Sequence, residues 1–359
     1  MMRSFTHEAE ERLKRLVEVK SPSMNETAMT RALIADWQEA ATAGHASVDA
    51  TGNLIFSIPG PTDAPRVALV AHADTVAVQI TQILPCGMMK FRTIGVRPHA
   101  LLGQPVTVIT EDGREVDGVV GFDATSQFGQ PKGLIEEDLW IDIAADPAET
   151  GITTGDLAVM TPRYKRLNKD FLSGTALDDR AGLFVMGEIL RSDAWRGLNL
   201  SLVATAQEEI GLRGAMALKL PLDAAIILDV DYATDIPVPH EDQTGRLYCG
   251  HGPGLHRKAD NSAHFHRLVK KTAAETGIPF QVSVGRFLYG GTDAAPIQIG
   301  GTDRAPAVAN VSIPCRNMHS PVEICAVSDI IQTVNLVEAV LRRLSTIKDF
   351  SRWDTIALA

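Results

Sequence analysis

Arg66-Val67-Ala68-Leu69-Val70-Ala71-His72-Ala73-Asp74 is an apolar run that stops at two groups able to hold a metal ion or a proton. Apolar residues without polar alternation mark a strand buried on both faces, the habit of parallel sheets in α/β proteins. Ligands of such sheets collect beyond the carboxyl ends of the strands. His72 and Asp74 therefore stand where a site is expected.

Upstream, residues 8–19 and 29–37 space their apolar side chains as helices do. Gly52-Asn53 is a turn signal, and Leu54-Ile55-Phe56-Ser57-Ile58 follows as a strand. Downstream the texture changes: residues 76–161 are rich in Val, Ile, Thr and Gly, with little helical periodicity. Within them, Pro105-Val106-Thr107-Val108-Ile109-Thr110 and Glu115-Val116 flank Glu111-Asp112-Gly113-Arg114, a hairpin with a tight Asp-Gly turn. A stretch this long and regular is expected to be a small inserted β-barrel-like domain rather than a loop.

From Leu177 onward, strands and helices alternate again. Residues 183–190 read as a buried helix, and 201–206, 224–228 and 308–313 as strands. Ser328-Asp329 is expected to cap a final helix with apolar residues at Ile330, Ile331, Val334, Val337, Leu341 and Leu344. The fold class expected is α/β, a mostly parallel central sheet with helices on both faces. Its catalytic domain would be discontinuous, residues 1–75 and 162–359, with residues 76–161 inserted.

The 359 residues suffice for two domains, and 45% hydrophobic with 22% charged content fits a globular protein with a large core. A formal net charge of −10 argues against nucleic acid or an anionic membrane as partner. No apolar run approaches the roughly 20 residues that span a bilayer. Cys86, Cys249, Cys315 and Cys325 are far apart and form no C-x-x-C pair, so neither a disulfide framework nor a thiolate zinc site is expected. Reduced cysteines, and no apolar leader in Met1-Met2-Arg3-Ser4-Phe5-Thr6-His7-Glu8, fit a cytoplasmic protein.

Metal-capable residues recur after apolar strands or at helix mouths: His72-Ala73-Asp74, Asp178-Asp179-Arg180, Glu208-Glu209, Asp229 and His319. Imidazole and carboxylate suit zinc and its first-row neighbours. A carboxylate has two oxygens and is able to bridge a metal pair that keeps a position open for water. Singly, each has an ordinary reading. His-x-Asp is common, paired acids start helices or cap them, Asp229 ends a strand, and His319 sits in a loop. Their joint placement at strand ends of one sheet is what points to a metal centre.

The stretches Leu69-Val70-Ala71-His72-Ala73-Asp74, Ala176-Leu177-Asp178-Asp179-Arg180-Ala181-Gly182, Gln207-Glu208-Glu209-Ile210-Gly211-Leu212-Arg213-Gly214-Ala215, Leu228-Asp229-Val230, Gly290-Gly291-Thr292-Asp293-Ala294 and Met318-His319-Ser320-Pro321 occur in this order. Together they resemble the M42 glutamyl aminopeptidase family, which includes the TET aminopeptidases and proteins once named endoglucanases. The likeness spans nearly the whole chain, and the combination L-D-D-R-x-G, E-E-x-G-x-R-G-A and M-H-S-P is specific.

The resemblance implies a zinc-exopeptidase-like fold holding two divalent metal ions per subunit, zinc or cobalt first, with manganese accepting the same ligands. It implies that Asp178 bridges the metals, that His72 and Asp229 complete one site, and that Glu209 and His319 complete the other. Glu208 would be the general base for a metal-bridging water, and Asp74 would orient His72 through its second ring nitrogen. The activity implied is removal of N-terminal residues from peptides with a free N-terminus. The assembly implied is a homo-oligomer, dimers formed through the inserted domain and built into a dodecamer. Thr75 stands where the family has an acid, and Asn317 where it has Tyr. Both flank the site, so the preferred N-terminal residue stays open.

Arg213 reads as a structural partner for a carboxylate or as a substrate contact. Gly290-Gly291-Thr292-Asp293 reads as a pocket rim with close backbone approach, or as a tight turn. Other functions compatible with such metals are a deacylase acting on a different amide and a non-catalytic family member. A serine hydrolase is disfavoured because G-x-S-x-G is absent. A glycosidase is disfavoured because it works with a carboxylate pair and no histidine ligands.

Overall fold

The computed structural model describes residues 3–123, 135–238, 244–300 and 305–347. The chain ends, residues 124–134 of the expected insertion, and residues 239–243 and 301–304 of the second catalytic segment lie outside the described residues. The chain opens with α1 (His7–Glu18), α2 (Thr27–Ala40), β1 (His45–Val48), β2 (Leu54–Ile58) and β3 (Arg66–His72). Thr6 caps α1 by accepting the Ala9 N–H at 3.2 Å.

Next come β4 (Ala77–Ile83), β5 (Met89–Ile94), α3 (Pro98–Leu101), β6 (Pro105–Ile109), β7 (Glu115–Phe122), β8 (Leu139–Asp142), α4 (Pro147–Thr150) and β9 (Leu157–Met160). These strands close an antiparallel barrel in the order β4-β5-β8-β7-β6-β9. Closure leaves no strand edge unpaired. Val78, Ile80, Phe91, Val106, Val120 and Ile141 fill its interior. The β6–β7 turn is closed by the Gly113 N–H on the Thr110 carbonyl at 2.8 Å, with Gly113 at φ +82 where a side chain would be strained.

The remaining elements are β10 (Tyr164–Arg166), β11 (Phe171–Gly174), α5 (Leu177–Leu190), β12 (Asn199–Thr205), α6 (Arg213–Ala217), β13 (Ala224–Tyr232), β14 (Gly254–His256), α7 (Ala263–Thr276), β15 (Gln281–Ser283), α8 (Ala294–Ile299), β16 (Ala307–Arg316), β17 (Glu323–Ala326) and α9 (Val327–Leu344). An 11-stranded sheet runs β1-β2-β12-β3-β13-β16-β17-β11-β10, with β14 and β15 branching from β16. Its centre, β12-β3-β13-β16, is parallel, and the strands flanking that centre pair antiparallel. The parallel character predicted from the apolar runs thus belongs to the central strands, which are the ones covered on both faces.

Alternation along β3 supplies both cores. Val67, Leu69 and Ala71 pack with Leu13, Trp37, Phe184, Phe265 and Val334 from the long helices. Ala68 and Val70 face Ala215 and Ile297 of the short helices α6 and α8. No helix among the described residues is long and apolar enough to cross a membrane.

Two expectations are corrected. Ser328-Asp329 does not cap α9: the cap residue is Ala326, and no side chain bonds there. Asp329 is buried and accepts the Gly250 and Gly252 N–H groups at 2.6 and 2.8 Å, tying a remote loop to the helix start. Nor does the strand end before Asp229. β13 continues to Tyr232 because β16 pairs with it throughout, Asp229 opposite Ser312 and Tyr232 opposite Cys315.

Candidate metal centre

His72 is the last residue of β3 and lies beside Thr205, the last of β12. Its Nε2 is 2.9 Å from Asp178 Oδ1. Its Nδ1 is 3.1 Å from the Asp74 carbonyl and 3.5 Å from the Asp74 carboxylate. The Asp74 carboxylate accepts the Ser23 hydroxyl at 2.6 Å and the Glu208 and Glu209 N–H groups at 2.9 and 3.2 Å. Asp74 thus holds His72 chiefly by its backbone, while its side chain fixes the turn that carries both glutamates.

His319 lies in the loop between β16 and β17, at φ +61. Its Nε2 is 3.2 Å from Asp178 Oδ2 and 3.3 Å from Glu209 Oε2. Its Nδ1 is 3.0 Å from the carbonyl of Gly95, which follows β5 in the barrel. Asp178 sits at the start of α5, where backbone torsions depart from helical, and the Asp178–Asp179 peptide is cis. One Asp178 oxygen faces His72 and the other faces His319. Two groups of ligand atoms result, His72–Asp178–Asp229 and Asp178–Glu209–His319, each mutually within 4.8 Å.

Electrostatics show the strain of bringing these acids together. Burial alone would raise Asp178, but hydrogen bonds from His319 and His72 hold it well below the ordinary carboxyl range. Burial pushes Glu208 well above its ordinary value, with Asp229, Glu209 and Asp293 adding to it and His72 opposing. Burial and Asp178 likewise raise Asp229 well above its ordinary value and Glu209 to about 7. Burial alone would lower His319, but Asp178 and Glu209 raise it to about 10. The Glu209 Oε1 is buried with no hydrogen-bond partner. Such a set of nitrogen and oxygen donors, shared through one carboxylate and with an orphaned oxygen, fits two divalent cations, which would relieve the repulsion.

Of the other residues singled out in the sequence, Asp293 is buried and accepts the Thr205 hydroxyl at 2.5 Å on Oδ2, leaving Oδ1 without a partner. Gly291 and Thr292 line a small cavity, about 50 Å³, that touches Asp229. Arg213 stays apart and, among the described residues, pairs with no carboxylate. Its Nε donates to Gln207 Oε1 at 2.8 Å, on an exposed face of the glutamate turn.

Sequence reasoning missed four participants. Glu323 is buried, with one oxygen accepting the Asp178 N–H at 3.0 Å and the other the His319 N–H at 2.9 Å. Glu26 accepts the Gln207 N–H at 3.1 Å, and burial with Asp74 nearby raises it to about 7. Gly95 belongs to the barrel yet reaches the site. Tyr232 packs edge-on to His319, ring centroids 6.3 Å apart. Burial pushes its hydroxyl up to about 12, with Asp178 and Glu209 adding to the rise and Arg286 and Arg97 opposing it.

Residues 52–336 match the M42 glutamyl aminopeptidase family. The lysyl aminopeptidase of Pyrococcus furiosus is 30% identical, over 93% of this chain and 97% of that protein. A TET aminopeptidase from the marine sediment archaeon Thaumarchaeota archaeon SCGC AB-539-E09 superposes with a TM-score of 0.86 at 28% identity, covering 97% of this chain and 100% of that one. The Pyrococcus horikoshii TET1 peptidase, which can assemble into a tetrahedron or a large octahedral shell, gives 0.80 at 29% identity over 92% of this chain and 98% of that one. With the ligand geometry and these likenesses together, the chain belongs to the M42 glutamyl aminopeptidase family and is a peptide-bond hydrolase.

Proposed function

We propose that this chain is a cytoplasmic, dinuclear metal-dependent aminopeptidase that removes N-terminal residues from peptides with a free α-amine. The observation that carries this reading is the division of Asp178, one oxygen toward His72 and the other toward His319. His72 and Asp229 would complete one metal site, and Glu209 and His319 the other. Zinc or cobalt suits these donors best, and manganese accepts them. Bound metals supply a Lewis acid for the scissile carbonyl and lower the proton affinity of a water.

The rest falls to the chain's own groups. Glu208, next in the chain to the proposed ligand Glu209, takes the proton of the attacking water and returns it to the leaving amine. Asp74 fixes the backbone of Glu208 and Glu209, so base and ligand keep a constant offset. The buried acids around Glu208 favour a positively charged α-amine, which makes the enzyme an exopeptidase. Assembly of TET1 peptidases, one of them solved as a dodecamer, supports a homo-oligomer here too, with dimers through the barrel as its proposed building unit.

The test is hydrolysis of a free-amine peptide panel beside N-acetylated copies, with zinc, cobalt or manganese added. Cleavage restricted to free-amine peptides and abolished by chelator is the expected result. Cleavage of the blocked copies would assign a deacylase instead. Glu208→Gln should retain the metals and lose about 100-fold or more in kcat. Near-normal turnover in that variant would remove Glu208 as the base.

A further inference from the structure

Beside Tyr232, whose ring packs edge-on to His319, lies a cavity of about 480 Å³, whose walls include Arg97, Tyr232, Ile236, Arg286, Asn317 and Met318. Arg97 follows β5 of the barrel, and Arg286 follows β15 of the sheet domain. Both side chains are exposed. Asp231 shares the wall, but its carboxylate is taken by His256 at 3.0 Å and by the Ser283 hydroxyl at 3.4 Å. The Arg286 guanidinium lies over the Phe287 ring, 5.9 Å from its centroid. Among the described residues, neither guanidinium has a carboxylate within ion-pair distance.

The small cavity that touches Asp229 shares Asp231, Tyr232, Arg286 and Met318 with this one, so the two form a crevice that is electrically polar. At one end Glu208, Asp229 and Asp293 crowd together, and Asp293 Oδ1 has no hydrogen-bond partner. At the other end stand two arginines supplied by different domains. Tyr232 lies between the two ends, against His319. A short peptide is a zwitterion with the matching polarity, its ammonium for the acids and its carboxylate for the arginines. Arginine is the side chain best shaped to take a carboxylate. A longer peptide carries its carboxylate out of reach of this cavity.

Resting on the aminopeptidase reading above, we propose that Arg97 and Arg286 form a subsite for the terminal carboxylate of a short peptide, so that di- and tripeptides are the preferred substrates. The experiment compares a tripeptide with its C-terminal amide in the metal-loaded enzyme, in wild type, Arg97→Gln and Arg286→Gln. Amidation should raise KM about tenfold in the wild type, with kcat changed by no more than about twofold. The amide-to-acid ratio of KM should fall toward one in each variant. Both substitutions are at exposed positions, and a thermal melt of each variant confirms the fold. Equal kcat/KM for acid and amide in the wild type overturns the subsite while leaving the aminopeptidase intact. Discrimination that follows an acidic first residue, insensitive to amidation and lost in the variants, also overturns it. No cleavage of any free-amine peptide sinks the underlying activity and the subsite with it.

Discussion

Glu323 holds His319 through the main chain, accepting its N–H at 2.9 Å while the other oxygen of the same carboxylate accepts the Asp178 N–H at 3.0 Å. Asp178 and His319, on separate elements, are thus set by one buried acid. Glu323→Gln keeps the size but turns an amide N–H₂ toward one of the two N–H groups. Metal affinity should fall about 10–100-fold, with activity recovering as zinc or cobalt is raised. Isothermal titration of metal into the stripped variant measures this. A variant with normal affinity and a merely lower Tm would reduce Glu323 to a fold residue.

Metal stoichiometry tests whether Asp178 is shared between two ions, as proposed. Asp178→Ala should lose both ions, because each ligand group includes Asp178. Asp229→Ala and His319→Ala should each retain one. Elemental analysis after dialysis gives the count, and loss of a single ion in all three variants would show that Asp178 is not shared.

The stripped protein should lose stability as pH rises. Burial lifts Asp293 to about 6, Glu209 to about 7 and Glu323 to about 8, above the values these acids have in an unfolded chain. Between those limits the folded state holds protons that the unfolded state has released, so stability falls with pH. His319, raised to about 10, contributes in the same direction, its share being lost as pH climbs from the unfolded histidine value toward 10. The Tm of chelated protein should drop on the order of 5 °C or more from pH 5.5 to 8.5. Metal-loaded protein should not follow, because the ligands must be deprotonated to bind. A flat curve for the stripped protein would mean the acids ionise freely without metal.

Gly95→Ala probes the contact between barrel and site. An added Cβ would stand 2.6 Å from Val76 Cγ1 and 3.1 Å from Glu209 Oε2, at a φ of +71. Stability should fall by about 1–3 kcal/mol, and kcat should fall with it as His319 and Glu209 shift. Wild-type kcat in a destabilised Gly95→Ala protein would show that the carbonyl of Gly95 does not orient His319.

The candidate ligands could be picked out in the sequence because they announce themselves twice, by chemistry and by position after an apolar run. Residues 66–72 show both signals, and the barrel showed itself through the Asp112-Gly113 turn and the Val-rich strands around it. Glu323 and Glu26 were not legible because their partners are backbone N–H groups, and any residue supplies those. Glu323 meets Asp178 across 145 positions of chain, a proximity that no local pattern records. Asp329 misled for the same reason, since its place before a helix matches a cap while its carboxylate serves a distant loop. Asp229 misled because a strand's length depends on its neighbour, and β16 extends β13 past it.

The hydrogen bond from His319 Nδ1 to the Gly95 carbonyl also bears on how such a chain is able to change over generations. Inserted modules usually drift, shrink or are traded between relatives because their hosts work without them. Here a transplanted barrel would be judged by the placement of a single carbonyl, 3.0 Å from an imidazole it does not share a domain with. A change in the barrel that moved this carbonyl would be felt at the His319 imidazole and not in the barrel alone.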